Sequence, residues 1–475
     1  MTPPHRWPWT IAPGAEQAAR TLVGREDEWY PPDLAAAVKE NSVRTLFRRD
    51  GLFCKLFKKR PDQAASEWQA LLHLSAAGIP VPRPVAWSRL PEGGAVLATA
   101  EIPGATPLKE AYRRDLLPAV AALIRRMHQA GYLHRDLHLG NLLVAGDAVW
   151  VIDVHRGRIG PVAARDEERA LGQLAYSLSR TGTVTDVRRL LAAYRPDAGH
   201  DWVERVLRHS DAFRRAHLAS RTRRCLRESS GFLVARESDG LWFVRRPAGL
   251  AEARALLARH DALCGSGRTV KALDARRITS AEGFYVKEWR TAGPFRALRN
   301  WIRGTPARAA WIAAQGMRVR NLPAPEGVAL AELRGRSVFL ARELPGKPLD
   351  RFCREDVPRL ADRRPFLDAL AAAVRRLHFR DTHHRDLKAN NILADGPTRF
   401  AFLDLEDVEF RRVRRADAVK ALAQLNAALP VLTRADRWRM LNRYAAGFPL
   451  LGNLRTAARE IMKLTVRRRH NWPGA

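Results

Sequence analysis

The sequence predicts an α+β chain in which one domain is built twice, each copy a small β-rich lobe followed by a larger helical lobe. Three observations predict it. Residues recur in the same order across the two halves at a slowly drifting offset. In each half, short β-patterned runs precede long amphipathic helical runs. The polar signatures LHRDLHLGNLLV (133–144) and HHRDLKANNILA (383–394) fall at the same place in each half, bracketed by apolar residues.

The repeat is found first, because self-similarity decides the architecture. Val38, Lys39, Arg44, Gly51 and Lys55 match Val270, Lys271, Arg276, Gly283 and Lys287, an offset of 287 − 55 = 232. Glu101, Pro103 and Gly104 match Glu343, Pro345 and Gly346, offset 242. Arg125, Arg126, His128, His134, Arg135, Asp136, Leu137 and Asn141 recur 250 residues later, and Asp153 recurs as Asp404 at 251. Such a period is far too long for a solenoid. It describes a duplicated domain, with the first copy expected at 1–230 and the second at 231–475.

The elements follow in order. Thr45–Phe57 and Arg277–Trp289 read as β-rich runs, and Gln63–Ala77 as a helix. A further strand is expected at Ala95–Ala100 and Ser337–Arg342, followed by a Pro-Gly turn. A long amphipathic helix then ends in RRMH or RRLH. After the HRD signature comes a strand ending in Asp, then more helices. Gly231–Arg246 reads as a hairpin around Asp239-Gly240, a pair that tolerates positive φ, and is expected to open the second copy's small lobe. A β-rich lobe followed by a helical lobe, with the polar signatures at their junction, is the protein-kinase-like architecture.

Composition bounds the rest. The chain has 475 residues, room for two to four domains at about 100–200 residues each. Apolar residues make up 46%, enough for packed cores. No apolar run of about 18 residues exists, so no transmembrane helix is expected, and the N-terminus lacks a secretory pattern. Four cysteines, Cys54, Cys225, Cys264 and Cys353, form no C-x-x-C pair and no disulfide framework. A cytoplasmic chain is the expectation. The net charge of +32 favours anionic partners, although Arg-rich, Ala-rich composition also follows from a GC-rich genome.

The chemistry is carried by a few positions. Phosphoryl transfer from ATP needs positioning and charge neutralisation more than covalent chemistry. Lys55 lies inside the apolar run LFCKLF, where a lysine must reach a polar site, and suits a clamp on nucleotide phosphates. Glu67, on the following helix, is the candidate to hold it. Asp136 is the candidate base, Asn141 a neutral Mg²⁺ ligand from the same loop, and Asp153 the charged Mg²⁺ ligand at a strand end. HRD alone is weak; HRD-x-x-x-x-N, followed twelve residues later in the first copy and thirteen in the second by a strand-terminal Asp, is strong. In the second copy the roles fall on Lys287, Asp386, Asn391 and Asp404. Glu101 and Glu343 join the nucleotide-side candidates. From Trp289 to Pro325 there is no acidic residue, so no helix partner for Lys287 is visible. Either that copy is impaired or another residue restrains the lysine.

At these residues the chain resembles the bacterial lipopolysaccharide core (Kdo/heptose) kinases. The second copy carries the likeness in GFYVKEW, ARELPGKPL, RRLHFRDTHHRDLKANNIL and FLDLEDVEF. The first carries it in LFCKLF, SEWQALLHLSAAGIPVPRPVAW, HRDLHLGNLL and VIDVHRGRI. The resemblance implies a Mg-ATP-dependent kinase acting on a sugar hydroxyl of the lipid A–core saccharide at the inner face of the cytoplasmic membrane. It also implies that Asp136 and Asp386 are the catalytic aspartates. Two features depart from a eukaryotic-style protein kinase: no Gly-x-Gly-x-x-Gly precedes either lysine, and Val154-His155 or Leu405-Glu406 follows the metal Asp.

Arg-rich segments at Arg205–Arg227 and Arg467–His470 read as solvated helix faces or as contacts to anionic lipid. No nucleic-acid module accompanies them. Three other readings stay open at this point. One is a single working copy beside a nucleotide- or lipid-binding pseudokinase. Another is a protein Ser/Thr or Tyr kinase, favoured by Lys388. The last is a non-catalytic scaffold.

Overall fold

A computed structural model describes residues 9–22, 37–40, 43–90, 93–273, 275–291 and 293–467. The chain folds as two compact units, Met1–Ala216 and His217–Ala475. Packing places residues 217–230, which the sequence pattern assigns to the first copy, in the second unit. There Cys225 is fully buried and its carbonyl accepts a hydrogen bond from Trp311 Nε1 at 3.0 Å. Arg320 likewise donates to Thr222 Oγ1 at 3.1 Å.

The first unit's main sheet is antiparallel throughout. Its strand order is Thr10–Ile11, Pro84–Arg89, Ala95–Ala100, Leu52–Phe57, Arg44–Arg49, Lys39–Glu40. The second unit's sheet has seven strands, also antiparallel. Their order is Phe232–Glu237, Gly240–Arg245, Gly327–Leu333, Arg336–Arg342, Phe284–Arg290, Arg276–Ala281, Lys271–Leu273. The expected hairpin at Gly231–Arg246 is present and opens this sheet. In both units the lysine strand is central and follows a two-residue turn. Asp50-Gly51 and Glu282-Gly283 have φ of 47° and 73°, and 54° and 76°. That conformation matches the strand twist, and the glycine allows it. A tight turn thus stands where a typical protein kinase carries a glycine-rich loop.

The helix that packs behind each lysine strand, in the second unit the one after the short helix Pro294–Arg303, is positioned by one apolar stripe. Asp62–Ala76 buries Ala64, Glu67, Trp68, Leu71 and Leu74. Pro306–Val319 starts at Thr305, whose hydroxyl accepts from Arg308 N at 3.1 Å, and buries Ala307, Ala310, Trp311 and Ala314. Both helices end alike. Gly78 and Asn321 adopt positive φ, and the next N–H, of Ile79 or Leu322, bonds back to Leu74 O or Met317 O at 2.9 Å. Arg126 caps the first end through Gly78 O at 2.6 Å, and Arg376 caps the second through Asn321 O at 2.9 Å. These contacts account for the second arginine of the repeated RRMH and RRLH.

The helical lobe of each unit is organised by the helix carrying that motif, Leu117–Gln129 or Arg364–Phe379. The motif's histidine is buried against a tyrosine 66 residues on. His128 Nδ1 lies 2.9 Å from Tyr194 Oη, and His378 Nδ1 lies 2.7 Å from Tyr444 Oη. Among the described residues no helix is long and apolar enough to cross a membrane.

Burial pushes the His128 imidazole down to about 4 and that of His378 to about 3. Burial lowers His134, His155, His383 and His384 in the same sense. A depressed folded-state pKa gives stability that is complete above the unfolded value near 6.5 and is lost as pH falls toward the folded value. Within that window His128 and His378 each withdraw about 1.4 kcal/mol per pH unit. The urea midpoint should therefore fall steadily from pH 7 to pH 4.5, and His378→Gln should flatten the slope. A midpoint independent of pH in wild type, or an unchanged slope in the variant, contradicts this.

Candidate active site

In the first unit the sheet and the helix converge on Lys55. Its Nζ donates to Glu67 Oε1 at 2.5 Å and to Asp153 Oδ1 at 2.7 Å. Arg44, on the neighbouring strand, reaches the same Asp153 oxygen at 3.3 Å. Lys55 and Glu67 are 8% and 2% exposed, so this ammonium and carboxylate are removed from water together. Burial alone would lower the Lys55 pKa, but Glu67 and Asp153 outweigh it and keep the ammonium charged. Burial opposes the Asp153 carboxylate too; Lys55 and Arg44 outweigh it and hold the acid well below the usual range. His155 Nδ1 stands 3.8 Å from Glu67 Oε2, and burial pushes its pKa down to about 4. It is therefore neutral at pH 7 and does not compete with the lysine.

The second unit repeats the cluster with one part moved. Lys287 Nζ donates to Asp404 Oδ1 at 2.5 Å and lies 3.3 Å from both carboxylate oxygens of Glu406. Arg276 is 3.5 Å from Glu406 Oε1. Asp404 and Glu406 outweigh burial and keep Lys287 charged. The expectation of an acid on the following helix misses this partner, because Glu406 lies 119 residues beyond the lysine, in the turn that follows the metal-side aspartate.

Each HRD loop is tied to the strand end that precedes Asp153 or Asp404. His134 Nδ1 accepts from Asp136 N at 3.1 Å, and its Nε2 lies 3.1 Å from Ile152 O. His384 bridges Asp386 N and Leu403 O at 3.3 and 2.8 Å. Backbone bonds from Ile152 N to Asn141 O, and from Leu403 N to Asn391 O, close the same gap. The aspartates after these strands, Asp153 and Asp404, take left-handed backbone at φ 58° and 51°. That conformation is uncommon outside glycine and tolerated by Asp, and it turns the carboxylate back toward the lysine.

The loop aspartates are poised differently. Asp136 Oδ1 accepts from Gln173 Nε2 at 3.0 Å, and Arg156 stands 3.6 Å from Oδ2. Asp386 Oδ2 is 2.7 Å from Lys388 Nζ and 3.2 Å from Asn391 Nδ2. Asn141 and Asn391 each donate to the backbone carbonyl of the loop aspartate, at 2.9 and 2.8 Å. That orientation leaves the amide oxygen of each asparagine facing away from the bond. An amide oxygen and a carboxylate oxygen are both hard donors of the kind Mg²⁺ selects. Glu67, Asp153 and His155 also bring three ligand-type atoms together. Lys55 is bonded to two of those residues, so this group is an ion-pair cluster and not a cation cage.

Glu101 and Glu343 stand apart. Their N–H groups donate to Gly51 O and Gly283 O at 2.8 Å, fastening the lysine hairpin to the chain that leads out of the sheet. The Glu101 carboxylate takes Arg48 at 2.6 Å and that of Glu343 takes Ser280 Oγ at 3.0 Å.

Residues 36–194 and 297–444, one segment in each unit, match the model of the lipopolysaccharide kinase (Kdo/WaaP) family. A 3-deoxy-D-manno-octulosonic acid kinase of Xanthomonas axonopodis pv. citri (strain 306) is 31% identical over 193 residues, 36% of this chain and 76% of that protein. One of Vibrio parahaemolyticus serotype O3:K6 is 36% identical over 128 residues, 24% of this chain and 54% of that one. One of Vibrio vulnificus (strain YJ016) is 30% identical over 151 residues, 28% of this chain and 61% of that one. The chain thus spans little more than half the length of these Vibrio relatives. Among solved structures, the bifunctional kinase-methyltransferase WbdD aligns with 42% of this chain and 44% of its own, at 15% identity and a TM-score of 0.30.

Proposed function

The chain belongs to the lipopolysaccharide kinase (Kdo/WaaP) family, and from that premise we propose that it transfers phosphate from ATP to a sugar hydroxyl of lipopolysaccharide core/lipid A or a related glycolipid. The observation that carries the proposal is the buried lysine ion-paired to the metal-ligand aspartate in both units, beside a loop aspartate fixed by its histidine and asparagine.

In this reading Lys55 and Lys287 clamp the nucleotide's phosphates, and their carboxylate partners set the reach of the ammonium. Glu101 and Glu343 border the nucleotide at the exit from the sheet. Asp136 or Asp386 orients the acceptor hydroxyl and takes its proton as the oxygen bonds to the γ-phosphorus. The bond from that phosphorus to the bridging oxygen breaks, and ADP leaves. Asn141 with Asp153, and Asn391 with Asp404, are the residues that would hold Mg²⁺, which when bound neutralises the phosphate charge. The Gln173 bond and the Asn391 and Lys388 contacts keep each loop carboxylate in one orientation.

Acyl-bearing, anionic acceptors and an anionic membrane face fit one further feature. A cavity of about 1070 Å³ in the helical lobe of the second unit is lined by Leu422, Leu425, Leu429 and Met440, and by the half-exposed Trp438. Arg434, Arg455 and Arg459 also line it, and all three are exposed. The Arg205–Arg227 segment is partly spent internally. Arg205 pairs with Glu168 at 2.8 Å, and Arg214 and Arg215 pair with Asp211. In the tail candidate, residues 468–470 lie outside the described residues. Peripheral attachment at the inner face of the cytoplasmic membrane follows as part of this proposal.

One observation favours the reading of a single working copy: the second unit's helix offers no acid to its lysine. Paired variants decide it. Asp136→Ala with Asp386→Ala should abolish phosphate incorporation into lipid A–core, a loss of at least about 10² when the base is removed. Mass spectrometry of lipid A–core from cells expressing each form reads this directly. Equal partial losses from the single variants exclude the single-copy reading, and an undiminished product from the double variant contradicts the kinase proposal.

The surface proposal is tested with vesicles. Basic residues near an anionic bilayer contribute about 1 kcal/mol each. Arg434→Glu/Arg455→Glu/Arg459→Glu should therefore weaken binding to phosphatidylglycerol-containing vesicles by about a hundredfold at low salt. Unchanged co-sedimentation would show that attachment lies elsewhere.

A further inference from the structure

We infer that Glu406 is the positioning residue for Lys287, doing from the metal-side turn of the second unit what Glu67 does from a helix in the first. The inference rests on reading the second unit as a nucleotide site.

The register of the two helices makes the substitution explicit. Their shared ends, Gly78 with Asn321 and Ile79 with Leu322, fix the alignment. One residue further on, Pro80 O accepts from Val151 N and Pro323 O accepts from Phe402 N, both at 3.0 Å. Counting back from those ends, Trp68 falls on Trp311, and both are buried. Glu67 then falls on Ala310, which is fully buried and has no carboxylate to offer. Counting forward from the metal-side aspartates, His155 follows Asp153 by two and Glu406 follows Asp404 by two. The acid has left the helix and appeared in the turn, and the first copy's residue at that turn position is a neutral imidazole.

The charge balance survives the exchange. The first cluster holds Lys55 and Arg44 against Glu67 and Asp153. The second holds Lys287 and Arg276 against Glu406 and Asp404. Each is two cations and two carboxylates. A buried ammonium with only one carboxylate would leave its desolvation cost less well offset. Ala310 alone would have left the second cluster one negative charge short; Glu406 restores it.

The two anchors differ mechanically. Glu67 rides on the helix Asp62–Ala76, so its grip on Lys55 depends on how that helix sits against the lysine strand. Glu406 belongs to the short turn Leu405–Asp407, directly after Asp404. Both acidic partners of Lys287 therefore move as one piece, and the helix Pro306–Val319 is relieved of any part in holding it.

The test uses the full chain in an Asp153→Ala background, which removes the first unit's metal ligand. Mg-ATP affinity is read with a fluorescent ATP analogue, and turnover is followed beside it. Glu406→Gln keeps the shape and removes the charge. It should weaken Mg-ATP binding by about tenfold or more, the scale of losing a partner that orients a ligand. Glu406→His alone should do the same, and adding Ala310→Glu, which rebuilds the first unit's arrangement, should restore affinity to within about threefold of the parent, a difference of well under one factor of ten. A purely structural role for Glu406 would give no such rescue. Circular dichroism and thermal midpoints confirm that each variant is folded. Should the swap variant fail to fold, Glu406→Gln against Lys287→Ala decides alone. Affinity within twofold of the parent for Glu406→Gln, while Lys287→Ala abolishes binding, overturns the inference and leaves the nucleotide site standing. No loss from Lys287→Ala overturns the reading of the second unit itself.

Discussion

A lysine ammonium held between two carboxylates under the β-sheet is the constraint on which each unit depends. An isolated buried charge costs many kcal/mol, so the sequence must deliver compensating groups to one point. In the first unit those groups come from the Lys55 strand, the Glu67 helix and the strand end at Asp153. The β-rich lobe is thereby fastened to the catalytic loop region through charge as well as packing. Removing one partner would leave the others buried and unmatched, a far larger penalty than losing a surface ion pair.

The rest of the site extends from that point through short polar ties. Asp153 cannot move without Ile152, whose carbonyl meets His134, which in turn accepts the N–H of Asp136. Lys55, Asp153 and Asp136 are therefore one connected object. The same chain of bonds runs through Leu403, His384 and Asp386. The histidine of HRD thus serves as a neutral bridge between two loops. Burial lowers its pKa in both units and favours that neutral state.

Much of this was legible in the linear sequence because the repeat supplied its own control. The order of Lys55, Asp136, Asn141 and Asp153 recurs in Lys287, Asp386, Asn391 and Asp404, and the structure draws each set together. Glu67 was legible too, since it lies in the helical stretch that follows the strand lysine. Glu406 was not. Its sequence context, FLDLEDVEF, carries several acids, and only the turn of Asp404 into left-handed backbone decides which one faces the lysine. Glu101 and Glu343 recur too, and their shared backbone bonds to Gly51 and Gly283 fasten the lysine hairpin at the exit from the sheet, a tie that sequence patterning does not reveal. The place where residues 217–230 pack was equally hidden, because it is decided by Trp311 and Arg320 roughly a hundred residues away.

On the proposed reading, two nucleotide sites per chain, each organised by its own buried lysine, follow from the two clusters despite their unequal partners. Isothermal titration calorimetry of Mg-ATP into the full-length protein measures their number most directly. The expected stoichiometry is two per chain, falling to one in either Lys55→Ala or Lys287→Ala. A stoichiometry of one in the unaltered chain would contradict that reading.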